Sequence, residues 1–535
     1  MSGREIPEIF ASAENASFVA KDEYENRLES LRVELLNNQF DLGRADFSVV
    51  ILIAGDDRPG CTDAIYALHQ WLDVRHVETV AIFGDPSESE EAHQRPVMWR
   101  YWNRLPRHGQ IGLFVGGWAT HVVAAPVRDL QMDGGFDRSI EYIQNFEKAL
   151  ARDGTLVLKF WLHLPKKELK KRLAKARKSP NKNWEIDERD WEILENYDEG
   201  LALVEQVIRR TESPEAPWLI LDSRDERTRN LTLATRINEA LGRRLEGSTP
   251  ESATPALGPA GESLGETLAL DTVDLSASLD KDDYEKELAR YQSKLNALSR
   301  ELLRREISCI AAFEGWDAAG KGGAIRRLTR AMPIRSVRVV PIAAPTDEER
   351  TRHYLWRFWR HLPRDGNTVV FDRTWYGRVL VERVEGFASE AEWSRAYAEI
   401  RDFEAQICDH GVPLLKFWLH IDADEQLRRF EAREKTPYKK YKLTEEDYRN
   451  RGKWQDYSRA VHEMVVQTST ADAPWHLIAA NDKRWARVEV LRITCERLEE
   501  RLDAERAQRK RGKDEKKRKG KSRGARKRGK QQDDD

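Results

Sequence analysis

Cysteine is scarce, with four residues in 535, at positions 61, 309, 408 and 495, and their scattered spacing excludes a disulfide framework. Cys309 and Cys408 lie in apolar surroundings and read as reduced core residues. Long apolar runs are missing as well. No window approaches the roughly 20 apolar residues that cross a bilayer, and residues 1–20 lack the basic start and apolar core of an export signal. A cytoplasmic protein with no membrane association is therefore expected. A net charge of either sign is absent on average, since 90 basic and 92 acidic residues leave −2. That average conceals an asymmetry: residues 506–535 carry 15 basic and 5 acidic residues, a net of +10, which leaves −12 for residues 1–505. An acidic body and a basic tail need separate explanations.

What is present is a repeat. Lys21-Asp22-Glu23-Tyr24-Glu25 returns 260 positions later as Lys281-Asp282-Asp283-Tyr284-Glu285, and Gly55 to Cys61 falls on Gly315 to Lys321 at the same offset. Three later blocks match at an offset of 257: Trp102 to Arg107 on Trp359 to Arg364, Lys159-Phe160-Trp161-Leu162-His163 on Lys416-Phe417-Trp418-Leu419-His420, and Ala216-Pro217-Trp218 on Ala473-Pro474-Trp475. Each copy alternates short apolar runs with helical stretches. In the second copy the runs are 307–313, 337–342, 368–371, 414–419 and 476–478, preceded by a helix over 283–303. Strands buried on both faces and separated by helices predict an α/β fold, a parallel sheet of about five strands covered by helices, in each half. The expected organisation is an N-terminal domain over 1–246, a flexible Ser/Pro/Gly/Ala/Thr-rich linker over 247–279, a second domain over 280–505 and a disordered basic tail over 506–535.

The stretch from Ala311 to Gly323 carries chemistry. An apolar strand runs into a Gly-rich turn with a lysine, and a helical pattern comes next. This is the layout of a phosphate loop: Gly315, Gly320, Gly322 and Gly323 let backbone N–H groups converge, Lys321 adds a point charge, and the helix presents its positive end. Gly322 stands where a hydroxyl would usually hold Mg²⁺, so Asp317 and Asp372, which ends the run 368–371, are the candidate metal ligands.

The two copies differ on one side only. Lys321 corresponds to Cys61 and Ala319 to Pro59, while Asp317 keeps its partner as Asp57. Phe371-Asp372-Arg373-Thr374-Trp375-Tyr376 aligns with Phe114-Val115-Gly116-Gly117-Trp118-Ala119, which loses the aspartate and arginine but keeps the packing aromatics. Beyond the fourth strand, residues 428–442 resemble a cationic lid, with Arg429, Arg433, Lys439 and Lys442 as its anion-binding residues. In the first copy Arg429 remains as Arg172, but Arg433 becomes Ala176 and Lys442 becomes Glu185. Arg326, Arg327, Arg330, Arg335, Arg338, Arg350, Arg352, Arg357 and Arg360 form a candidate track for a long polyanion. The second half is thus read as catalytic, and the first as a degenerate copy.

Gly-x-Asp-x-x-Gly-Lys-Gly at 315–322, Phe-Asp-Arg-Thr-Trp-Tyr at 371–376 and the lid at 429–442 together resemble the type 2 polyphosphate kinases, and the tandem form resembles their polyphosphate:AMP phosphotransferase class. The resemblance implies a thymidylate-kinase-like P-loop fold, Mg²⁺, and transfer of a phosphoryl group from inorganic polyphosphate to AMP, forming ADP. It also implies that Lys321 holds donor phosphates, that Asp317 and Asp372 serve the metal or acceptor, and that Arg373, Arg429 and Arg433 clamp the anions. A homo-oligomer is expected, with nucleic acid met only nonspecifically through the tail. Rival readings are an ATP-dependent or nucleoside-diphosphate-directed nucleotide kinase on the same fold and a polyphosphate- or nucleotide-binding protein without turnover. Plainer roles compete residue by residue: Asp372 and Asp57 as helix caps, Trp356, Phe358 and Trp359 as core, the arginines as a solvated helix face.

Overall fold

The computed structural model describes residues 8–14, 17–82, 93–124, 135–180, 183, 186–247, 268–437 and 445–531. In the first half, β1 (Val49–Gly55), β2 (Val77–Ile82), β3 (Ile111–Gly116), β4 (Leu156–His163) and β5 (Trp218–Asp222) form a parallel sheet in the order β2-β3-β1-β4-β5. The sequence Val-Val-Ile-Leu-Ile-Ala makes β1 the central strand, because all six residues are buried and none is charged. The second half repeats this with β6 (Cys309–Gly315), β7 (Val337–Pro341), β8 (Thr368–Asp372), β9 (Leu414–His420) and β10 (Trp475–Ala479), ordered β7-β8-β6-β9-β10. Register is repeated too: Val49 pairs with Ile111, and its equivalent Cys309 with Thr368. The five strands of the second half fall on the apolar runs at 307–313, 337–342, 368–371, 414–419 and 476–478.

Helices cover both sheets. In the first half, helices Lys21–Leu42 and Glu226–Leu245 are bridged by Asn38 Nδ2 donating to Asn238 Oδ1 at 2.7 Å. In the second, helix Lys281–Arg304 is capped by Asp280 and meets the last helix through Lys294 and Glu499, 2.8 Å apart. Two expectations are corrected. Within 247–279, residues 268–279 are not free linker: Leu270 is buried and the Ala269 N–H donates to His462 Nδ1 at 2.9 Å, because an apolar side chain there finds a packing site. The last helix spans Lys483–Gln531, through the basic segment expected to be disordered. Lys, Arg, Ala and Gln all favour helix, which suits the continued backbone.

Chain contacts define two compact units, 1–260 with 344–360, and 261–343 with 361–535. Within the first unit, Trp359 stacks on Trp102 with ring centroids 5.8 Å apart, and the Arg352 Nε–H donates to Leu105 O at 3.0 Å. Arg352, Arg357 and Arg360 are also paired with Glu348 or Glu349, and Arg350 with Asp347. Each of these four arginines, expected in a polyanion track, thus lies beside a carboxylate. Their acidic neighbours at 347–349 take them up.

Both halves keep one buried polar cluster. Lys416 Nζ donates to Glu404 Oε2 (2.7 Å), Thr468 O (2.7 Å) and Tyr376 Oη (3.0 Å), and Trp375 Nε1 donates to Glu404 Oε1 at 3.0 Å. In the first half Lys159 meets Glu147 and Thr211 O, each at 2.7 Å, and Trp118 meets Glu147 at 2.8 Å. Burial pushes both carboxyls up and both ammonium groups down, toward the neutral forms, with the partner charge opposing. A device present in both copies belongs to the scaffold. All four cysteines are free thiols. Among the described residues no helix is long and apolar enough to cross a membrane.

Candidate functional site

The carboxyl end of β6 lies between β8 and β9, where chain connections diverge to opposite sides of a parallel sheet and ligands commonly bind. Gly315 closes the strand with φ 146°, and a Cβ there would sit 2.5 Å from Leu419 O. Gly55 meets Leu162 O in the same way, at 2.3 Å, so this glycine is a requirement of the sheet in both copies.

Beyond this glycine the two halves diverge. After Gly315, Ala318 (φ 65°) and Gly320 (φ 113°) adopt left-handed conformations, and the helix Lys321–Arg330 starts at Gly320 without any side-chain cap. A Cβ on Gly320 or Gly322 would meet nothing within 4 Å. The loop therefore encloses open space in front of an uncapped helix N-terminus, the arrangement that accepts an anion. Lys321 Nζ lies over the loop, donating to Gly315 O at 2.5 Å and Trp316 O at 3.2 Å. Gly323 lies against the Arg487 guanidinium, and Arg326 is exposed one turn along.

In the first half the corresponding residues have wound into the helix, which already starts at Arg58. Pro59 favours that first turn, Asp57 caps it by accepting the Gly60 N–H at 3.1 Å, and both are buried. Arg172 and Ser223 also bond the Asp57 carboxylate, and Arg229 lies 3.8 Å from it. A Cβ on Gly60 would collide with Asp57 and Arg229. The concavity is filled by the chain itself.

Asp317 faces two partners: its Oδ1 lies 3.6 Å from Arg373 Nη2, and its Oδ2 accepts from Asn450 Nδ2 at 3.1 Å. Asp372 ends β8 beside Phe313 of β6. It caps nothing there, because Thr374 is the cap of the short turn Trp375–Arg378. Arg373 occupies φ 66°, and its first-half equivalent is Gly116 at φ 79°. The fold thus calls for a left-handed residue at this point, and the second half holds an arginine where glycine would be unstrained. Replacing Arg373 with Gly is expected to leave stability unchanged or raise it by up to about 1 kcal/mol, while lowering kcat by about 100-fold. Thermal unfolding and steady-state turnover of one preparation check both.

Arg429, expected to clamp anions, has its guanidinium engaged by the chain. It is buried, donating to Ala318 O, Ala319 O, Ala480 O and Asn481 O at 2.6–2.9 Å and pairing with Glu425. Arg172 reaches Ser223 O likewise, so this arginine staples the loop to the end of the fifth strand in both halves. Arg433 lies in the last turn of helix Ala423–Glu434, near enough for its charge to act on Arg429. Lys439 and Lys442 lie outside the described residues.

Four further residues at the site stand outside the motifs read from the sequence. Asn450 could not be found from spacing, being 133 positions from Asp317. Glu314, Lys483 and Arg487 could have been, since their first-half equivalents are Ala54, Glu226 and Asn230. His420 matches His163 in sequence but differs from it in surroundings. Its Nδ1 accepts from Trp316 Nε1 at 3.0 Å, and burial lowers it from 6.5 to about 4. In His163, where burial also lowers the value, Asp56 and Glu14 prevail and hold it above 6.5. Because the unfolded chain protonates His420 first, its contribution is complete above pH 6.5 and is lost as pH falls toward 4. Wild type should lose about 2 kcal/mol more than His420→Asn between pH 7 and 4.5, read by urea unfolding.

Comparison with known proteins places this geometry. The model of the polyphosphate kinase 2 family matches residues 18–247 and again 278–506. The polyphosphate:AMP phosphotransferase of Pseudomonas aeruginosa is 46% identical over 492 residues, covering 92% of this chain and 99% of the relative. That of Acinetobacter johnsonii is 38% identical over 482 residues, 88% of this chain and 96% of its own. A crystal structure of a polyphosphate kinase 2 from Pseudomonas aeruginosa superposes with a TM-score of 0.81 at 44% identity, covering 92% of this chain and 99% of the other. With the family's domain matched twice along a chain whose two sheets share order and register, the protein belongs to the polyphosphate kinase 2 family.

Proposed function

We propose that the second half transfers the terminal phosphoryl group of inorganic polyphosphate to AMP, forming ADP, and that the first half is a degenerate copy without turnover. One observation carries this: the same loop is open, uncapped and lysine-bearing at 315–323, but wound into a helix and occupied by Asp57 and Arg229 at 55–61. The names of the full-length relatives support the donor and the acceptor.

In this reading the loop is a P-loop whose backbone N–H groups and Lys321 take the donor phosphates. Arg373 neutralises charge on the transferring group, and Asp317 orients the acceptor phosphate through the charges around it. The donor set suits Mg²⁺. Among the described residues no group of three metal-ligating side chains occurs, whereas two carboxylates, Asp317 in the loop after β6 and Asp372 at the end of β8, would leave coordination positions for phosphate and water, the usual habit of this ion. When bound, Mg²⁺ would offset negative charge on the phosphates. The cytoplasm is the proposed compartment and a homo-oligomer the proposed assembly.

The test supplies polyphosphate and AMP without ATP. ADP formation supports the proposal. A requirement for ATP overturns the donor assignment, and binding of both substrates without ADP overturns turnover itself.

A further inference from the structure

We infer that Glu314 is a positioning residue for Arg373, acting through Thr374; the inference rests on the proposed phosphoryl transfer. Glu314 is the last residue of β6 before its closing glycine, almost wholly buried at 7% exposure. A carboxylate in such a place needs a partner strong enough to offset its lost hydration. Its partners are two donors on one residue: the Thr374 backbone N–H at 2.7 Å and the Thr374 hydroxyl at 2.8 Å, both to Oε1. The preceding peptide is tied down as well, since the Arg373 N–H donates to Phe313 O at 3.1 Å. Consecutive residues 373 and 374 are thus stitched onto consecutive residues 313 and 314.

The stitch has a purpose only where residue 373 has a side chain. A left-handed arginine relaxes unless its surroundings over-determine the backbone on both sides. The first half supports the logic by subtraction: Arg373 is Gly116, Thr374 is Gly117, and Glu314 is Ala54. Glycine reaches this conformation unaided, and there the carboxylate, the hydroxyl and the strained arginine are all missing together. Three residues change as a set, one of them 59 positions from the next, while the strand register that carries them does not. Burial raises the pKa of the Glu314 carboxyl, opposed by the charge of Lys321, the Thr374 hydrogen bonds and the charge of Arg373. With Thr374 released from Glu314, Arg373 would be free to turn from Asp317.

A double-mutant cycle tests this in the full chain with polyphosphate and AMP. Glu314→Ala should lower kcat by about 100-fold, as Arg373→Gly does, with KM for either substrate changed less than about threefold. The combined variant should also lose about 100-fold, because the second change removes nothing that the first left in place; independent losses would multiply to about 10⁴. Glu314→Gln retains an acceptor for Thr374 and should recover most of what alanine loses. Should Glu314→Ala fail to fold, Thr374→Val, which deletes one of the two bonds, carries the cycle with a loss of about 10-fold that vanishes in the Arg373→Gly background. Wild-type kcat in Glu314→Ala, or multiplied losses in the double variant, overturns the inference. If wild type forms ADP only from ATP, the donor assignment fails instead, and the cycle run with ATP still decides the role of Glu314.

Discussion

Replacing Lys321 with alanine is expected to lower kcat by about 10³- to 10⁴-fold with little change in thermal stability. The magnitude comes from the ammonium's role. Nζ rests on two carbonyls, Gly315 O and Trp316 O, which hold it at the loop. A bound phosphate offers full negative charge in place of those partial charges, so the ammonium's interaction strengthens as donor charge develops, and that difference is what catalysis requires. Stability should barely respond, because Lys321 contributes only two hydrogen bonds at a partly exposed position.

The reciprocal change, Cys61→Lys, is expected to add no activity to the Lys321→Ala chain. Residues 58–60 are helical, Asp57 already caps the Gly60 N–H, and Arg229 stands against Gly60. A lysine at 61 would replace a buried thiol in a packed core and find no concavity to serve. Steady-state ADP formation by the double variant measures this. Recovery of even about a hundredth of wild-type turnover would show that the first half retains a usable site.

Removal of one member of a buried ion pair has the second large effect. Glu404→Ala should cost about 3–5 kcal/mol of stability, because Lys416 would be left with no exposure and no counter-charge. Glu147→Ala should cost a similar amount through Lys159, and the two should differ in their consequences for turnover. Tyr376 and Trp375 bond Glu404 a few residues after Arg373, so the second-half change reaches the site, whereas the first-half change does not touch the loop that works. Denaturant unfolding of each variant, with kcat measured well below its transition, separates the two. Equal losses of kcat would mean that the scaffold clusters act on catalysis through overall stability alone.

The apolar runs that became β6 to β10 were legible because a central parallel strand must be apolar on both faces, whatever surrounds it. The twofold repeat and the one-sided loss of Lys321, Asp372 and Arg373 were legible for a related reason. They are substitutions at matched positions, and matching needs no coordinates. Arg429 shows where that method stops. It looks like a lid cation in the sequence and is a buried staple in the structure, because its surroundings come from the loop after β6 and from the end of β10. Arg350, Arg352, Arg357 and Arg360 resemble a track for a polyanion until Asp347, Glu348 and Glu349 are seen beside them.

By itself, the sequence determined that the chain folds as two like α/β halves and that only one retains the cations and carboxylates of phosphoryl transfer, since these are matters of composition and order along the chain. Tertiary structure alone decided that the first loop is closed and the second open. That difference depends on Asp57 meeting Arg172, Ser223 and Arg229, partners 115, 166 and 172 positions away, and on a left-handed backbone at 318 and 373 tied to Arg429 and to Phe313. Burial and pairing between distant segments set both, and no local pattern encodes them.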